Sequence, residues 1–101
     1  MNDRGERLIV RADPELKALI PRYLANRRLD LDEVQRALGT GDYETIRLIG
    51  HRMRGNGAGY GFDRLSELGA VLERAAASRN ADAILACVAD VADYLDRVEV
   101  I

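Results

Sequence analysis

Ile84, Val88, Val91, Leu95 and Val98 recur at alternating spacings of four and three residues. That is the period of an α-helix turn and not the two-residue repeat of a strand, so this part of the chain is constrained to an amphipathic helix with one apolar face. Such a face needs others to be buried against, and the sequence supplies them. Leu65, Leu68 and Leu72 form a stripe in a segment predicted from about Asp63 to Ser78. Leu24, Leu31, Val34 and Leu38 share a face in a segment predicted over about 21–38. Between these two, a helix is predicted from about Asp42 to Gly59, after a stop and restart at "GTGD". Asn80 is placed to cap the last helix.

The N-terminal part is less regular. In "RADPEL", Asp13 suits a cap, Pro14 a first helical position and Glu15 a first turn, which predicts a short lead-in helix over 14–20 that Pro21 breaks. Only "RLIVR", ahead of it, hints at a strand. The expectation is an all-α chain: an antiparallel up-down four-helix bundle with a short N-terminal lead-in helix. Residues 1–13 are taken as an N-terminal segment and 14–101 as the bundle domain.

Composition narrows the function classes. Hydrophobic residues make up 48% and charged residues 32%, the balance of a globular domain. The net charge of −2, with both signs interspersed, leaves no broad basic footprint for nucleic acid. No apolar run approaches the ~20 residues that cross a bilayer, so a cytoplasmic location is expected. The single cysteine, Cys87, borders the last apolar stripe and reads as a small core residue. No metal-ligand cluster is visible, so no metal site is expected.

The chemistry concentrates in "HRMRGNGAGYGF", residues 51–62, which holds the only histidine. On a wheel of about 100° per residue with His51 at zero, Ile46, Ile49, Gly50, Met53, Gly57 and Tyr60 fall between about 160° and 260°. They define the buried side, and His51 points away from it. Arg47, Leu48, Arg54, Gly55 and Ala58 lie within about 60° of His51. An interior helix glycine costs roughly 1 kcal/mol relative to alanine. Gly50 and Gly57, on the buried side, fit a close helix–helix approach. Gly55 lies on the exposed face, where the domain's own packing does not call for it, and it makes sense if a partner must approach the imidazole. Leu48 and Ala58 extend the same docking surface. Arg54 and Arg47, one turn either side of His51, carry forked donors suited to phosphate. Together these residues suggest a phosphoryl acceptor presented to another protein.

The same residues resemble the histidine phosphotransfer (HPt) domain family: His51, a basic Arg54, Gly55, then Gly61 and a leucine-rich helix with Leu65, Leu68, Leu72 and Glu73. The likeness spans about residues 14–98. Arg54 stands where lysine is more usual, Met53 where leucine is, and Asn56 where a small residue is. The resemblance implies a phosphorelay intermediate. His51 accepts a phosphoryl group from a receiver-domain aspartate, usually on the outer imidazole nitrogen, and passes it to another receiver. Arg54 and Arg47 balance the phosphate charge, and Gly55, Leu48 and Ala58 meet the partner. No cofactor is bound by the chain itself; Mg²⁺ is expected in the receiver. The partners implied are response-regulator receiver domains, with a hybrid histidine kinase as a further candidate, and the chain is expected to be monomeric.

Other readings fare worse. The glycines at 55, 57, 59 and 61 miss the G-x-G-x-x-G spacing, lack G-K-[ST] and follow a helix, which argues against a nucleotide site and an autonomous kinase. One histidine with no activated serine or cysteine partner argues against a hydrolase. Two alternatives remain: the same residues would serve as the substrate histidine of a kinase whose catalytic part sits on another chain, and a non-phosphorylated scaffold that binds a receiver or dimerises would be favoured by a buried or blocked His51.

Overall fold

Local signals set most element boundaries. The computed structural model describes residues 6–101, so the start of the predicted N-terminal segment lies outside the described residues. A short strand, β1 (Leu8–Val10), leads through turns into helices α1 (Ile20–Gly39), α2 (Tyr43–Gly57), α3 (Asp63–Ala77) and α4 (Ala81–Arg97). The chain then enters a second strand, β2 (Val98–Val100). Asp42 caps α2 by accepting from the Thr45 amide at 3.1 Å and the Thr45 hydroxyl at 2.6 Å. Asn80 caps α4 through the Ala83 amide at 3.0 Å. Gly61, at φ 93°, takes the left-handed conformation that ends the turn after α2.

The four helices form a bundle around one core, with Val34 of α1, Ile46, Ile49 and Met53 of α2, Leu65, Leu68 and Leu72 of α3, and Ile84 and Val91 of α4 all buried. Cys87 belongs to that core; its thiol donates to the Leu68 carbonyl at 3.3 Å, and burial pushes it up to about 11.

Several expectations are corrected. The lead-in helix over 14–20 is only a 3-10 turn at Lys17–Leu19. Asp13 does cap there, but it caps a turn, through the Glu15 amide at 2.9 Å. Pro21 does not break a helix. It sits in the first turn of α1, where its missing N–H has no intrahelical partner to lose. The second helix stops at Gly57 rather than Gly59, and Ala58–Tyr60 continues as a 3-10 turn. Val98 leaves the α4 stripe for an extended conformation, φ −69° and ψ 135°. There it pairs in parallel with Leu8, so the strand hinted at in "RLIVR" forms, and the all-α expectation misses its partner and the two-stranded pair that joins the ends of the described chain. Val10, Ala12 and Ile101 continue the link through backbone hydrogen bonds of 2.9 Å.

The tightest contact in the bundle is between α2 and α3. A Cβ added at Gly50 would stand 2.6 Å from the Glu73 amide nitrogen and 2.8 Å from the Gly69 carbonyl oxygen. One added at Gly69 would stand 2.8 Å from the Gly50 carbonyl oxygen and clash with the Arg54 amide. The two backbones therefore touch, and only glycine fits at either crossing position. A Cβ at Gly55, by contrast, meets nothing within 4 Å.

Two measurements check these points. Gly69→Ala is expected to lower stability by about 2 kcal/mol, roughly 10 °C in Tm, because backbone must move. Gly55→Ala is expected to raise stability by roughly 0.5–1 kcal/mol. Equal melting temperatures for the two variants would contradict the asymmetry. The Asp42 carboxyl is held below its ordinary range, first by the Thr45 hydroxyl and then by the Thr45 amide. Its cap therefore contributes above the unfolded carboxyl's titration and is lost as pH falls through the lowered value. The protection factor of the Thr45 amide, its observed exchange rate referred to the intrinsic rate at each pH, should fall on acidification through that window, and Asp42→Asn should abolish the dependence while keeping a cap.

Candidate functional site

His51 lies in mid-α2 with its side chain 55% exposed. The α2–α3 crossing decides what stands beside it. Gly50 precedes it in sequence and brings the α3 backbone at Glu73 into contact, so the Glu73 side chain emerges next to the imidazole. Glu73 Oε2 lies 3.1 Å from His51 Nδ1.

A carboxylate only accepts hydrogen bonds. The contact therefore assigns the hydrogen of the neutral ring to Nδ1 and the lone pair to Nε2. Arg54 Nη2 stands 3.4 Å from the same Nδ1, but a guanidinium only donates. Both contacts cannot be hydrogen bonds at once, and the shorter, charge-assisted one to Glu73 sets the tautomer. Nε2 has no hydrogen-bond partner among the described residues.

Glu73 is only 18% exposed and faces three cationic or ionisable groups. Besides His51 these are Arg54, with Nε 3.4 Å from Oε1, and Arg47, with Nη1 4.0 Å from Oε2. Arg47 is chiefly held elsewhere: Glu44 grips it in a two-pronged pair at 2.9 and 2.7 Å. Those bonds hold the Glu44 carboxyl below its ordinary range and raise Arg47 further. Arg54 has no such grip and is 52% exposed, so its guanidinium is the more available of the two to an incoming anion.

The predicted docking residues divide as follows. Gly55 is exposed with open space around it. Leu48 is exposed at 42%. Ala58 is exposed but also structural, since its amide donates to Ser66 Oγ at 2.7 Å. Ser66 in turn donates to the Arg54 carbonyl at 2.9 Å, so its hydroxyl is wedged into the rung that would otherwise join Arg54 to Ala58. α2 ends beside this wedge, at Gly57, nearly two turns after His51.

Glu73 belongs to the family pattern, but the sequence assigns it no role, and neither Ser66 nor Gly69 stands out there. The available signal was modest: Gly69 and Glu73 lie one turn apart at the edge of the Leu65–Leu68–Leu72 stripe.

A helical bundle that presents one exposed histidine, backed by a carboxylate from the neighbouring helix, defines the class. A family model described as an Hpt domain matches residues 18–100, which takes in all four helices and β2 and leaves out β1. The chain belongs to the Hpt domain family. Domains of this family are histidine phosphotransfer intermediates in phosphorelays, work with receiver domains of two-component systems, and are not autonomous kinases. Neither the curated proteins nor the solved structures include a significant match. Among the described residues no helix is long and apolar enough to cross a membrane.

The tautomer assignment is directly measurable. Ring ¹⁵N shifts of His51 at a pH where the ring is neutral should show a protonated Nδ1 and an unprotonated Nε2. In Glu73→Ala the pattern should revert to the mixture of free imidazole. A wild-type ring protonated mainly on Nε2 would contradict the role given to Glu73.

Proposed function

We propose that this up-down four-helix bundle is a phosphorelay carrier. His51 takes a phosphoryl group from the phospho-aspartate of one response-regulator receiver domain and gives it to the aspartate of another. The observation that carries this reading is the paired geometry of the imidazole, with Nδ1 against Glu73 and Nε2 open on an exposed helix face.

The chemistry follows from that geometry. The Nε2 lone pair attacks phosphorus, the Nε2–P bond forms, and the P–O bond to the aspartate breaks, releasing its carboxylate. No proton need leave Nε2, because the ring hydrogen already sits on Nδ1. Attack leaves positive charge on the ring, and the Glu73 carboxylate lies where that charge develops. Arg54 balances the charge of the phosphoryl oxygens, with Arg47 as a more distant contributor because Glu44 holds it. Return of the group to a second receiver is the reverse of these steps. The Mg²⁺ that assists transfer belongs to the receiver.

Gly55, Leu48 and Ala58 form the surface on which the receiver sits. A hybrid histidine kinase carrying a receiver domain is a fitting donor. The carrier works as a cytoplasmic monomer. The exposure of His51 disfavours the scaffold reading, which calls for a buried or blocked ring.

The test is incubation with phosphorylated receiver domains and Mg²⁺, followed by assay of acid-labile, alkali-stable phosphate. Label is expected on the wild type and none on His51→Ala, whose melting curve should be unchanged. Glu73→Ala should slow labelling by roughly one to two orders of magnitude, the kinetic equivalent of one charge-assisted hydrogen bond. Gly55→Leu should slow transfer while leaving the fold intact. Full labelling of His51→Ala would overturn the assignment.

A further inference from the structure

On the α1 side of α2, away from Glu73, lies a cleft of about 340 Å³ lined by Arg22, Tyr23, Asn26 and Arg27 of α1, by Asn56, and by Tyr60. Its inner wall is built from stacked groups. The Tyr23 and Tyr60 rings stack with centroids 4.2 Å apart, and the Arg27 guanidinium lies 4.5 Å over the Tyr23 ring.

The polar groups in this cleft are unequally used. Asn56 Oδ1 accepts from the Tyr23 hydroxyl at 2.8 Å and faces Arg27 Nη1 at 3.5 Å. Those contacts fix the amide so that its NH₂ is left over, and no partner meets it among the described residues. Asp30 Oδ2 stands 2.8 Å from Arg27 Nε, a close ion pair without hydrogen-bond alignment, and that Nε is itself buried, so Arg27 can turn only its terminal nitrogens to the cleft. Arg22 has no ion pair among the described residues. The strongest acceptors are thus committed within the fold, while two guanidinium groups and an amide remain as donors. In a chain of net charge −2, this is a local excess of positive charge around a preformed cavity. Such a site suits a carboxylate.

The cleft also adjoins the proposed docking face. Arg52 follows His51 and points about 100° round the helix, toward α1, and its charge acts on Asp30 there. Asn56 lies one turn beyond Arg52. Leu48 and Gly55 lean to this same side of His51, so the exposed face runs over Arg52 to the cleft.

We propose that the cleft is a recognition subsite that takes a side-chain carboxylate of the receiver domain docked over His51, and so selects which receivers exchange phosphate. This rests on the carrier reading above. Arg22 is the group that meets the incoming carboxylate first, because it is exposed and has no ion pair among the described residues, and Asn56 and Arg27 complete the grip.

The experiment compares wild type, Arg22→Ala, Arg22→Glu and Arg28→Glu. Arg28 pairs with Asp96 of α4, away from the cleft, and serves as the charge-matched control. Glutamate in the first turn of α1 is compatible with the helix dipole, so Arg22→Glu is expected to fold. Each protein is labelled in two ways: by receiver domains precharged with acetyl phosphate, and by phosphoramidate, a small donor that needs no docking.

Arg22→Glu should slow transfer from receivers by roughly tenfold at low receiver concentration. The deficit should close as the receiver saturates, and phosphoramidate labelling should stay at the wild-type rate. Arg22→Ala should fall between, and Arg28→Glu should match wild type. Transfer rates for both Arg22 variants within about twofold of wild type would overturn the subsite while leaving the carrier reading intact. So would an equal loss of phosphoramidate labelling, since that places the defect at His51 rather than in docking. Labelling of wild type by phosphoramidate but by no receiver would overturn the carrier reading, and the subsite with it. Inorganic phosphate that shifts the Asn56 side-chain resonances without slowing receiver transfer would assign the cleft to a small ion, against the proposal.

Discussion

The direct contact between the α2 and α3 backbones is the constraint on which the rest depends. Gly50 and Gly69 face each other across it, and neither position has room for a methyl group. Helices separated by larger side chains sit about 8–10 Å apart; here small residues bring α3 close enough for a short carboxylic acid side chain to reach the imidazole. The apolar residues on either side of the crossing, Ile46, Ile49 and Met53 against Leu65, Leu68 and Leu72, hold it shut. Glycine in mid-helix lowers helix propensity, and the packing of this face offsets that cost.

From that crossing follows the electrostatics of the site. One carboxylate, Glu73, is shared among His51, Arg54 and, at longer range, Arg47. It sets the tautomer and leaves Nε2 facing outward. It also keeps two arginines near the ring without letting either consume the lone pair. Glu44 draws Arg47 aside, so the two arginines that look equivalent on a helical wheel are not equivalent in charge available to a ligand. The α1 side of α2 has the opposite organisation. There Tyr23 hydrogen-bonds the Asn56 carbonyl and Arg27 pairs with Asp30, and the Arg22 guanidinium is left exposed. The histidine thus sits between a flank that sets its tautomer and a flank that carries the exposed Arg22 and the Asn56 amide.

The strand pair plays a different part. β1 and β2 join the two ends of the described chain, and Arg97 and Arg7 reinforce the link through the Glu6 and Asp96 carbonyls at 3.0 and 3.1 Å. The pair lies away from His51 and serves the bundle. Its sequence signal was weak because three-residue strands are too short to establish a period: in "VEV" the first valine also continues the α4 apolar stripe.

What the sequence determined by itself was everything governed by local period and local capping. Four helices, their buried faces and the outward direction of His51 all follow from side chains recurring every three or four residues, because a helix converts that spacing directly into direction, and the cap at Asn80 follows from its residue type ahead of such a run. The close-approach role of Gly50 and the open surface at Gly55 were legible for the same reason. The tertiary structure alone decided which groups from distant segments meet. Glu73 is 22 residues from His51 and becomes its partner only through the glycine crossing. Ser66 enters the α2 ladder only because α3 runs alongside it. Asn56, which on the wheel is an unremarkable polar residue, acquires a fixed orientation from Tyr23, 33 residues away. Helix direction is a local property of the chain, whereas the pairing of side chains across helices depends on how closely their axes approach, and that distance is set by the packed core as a whole.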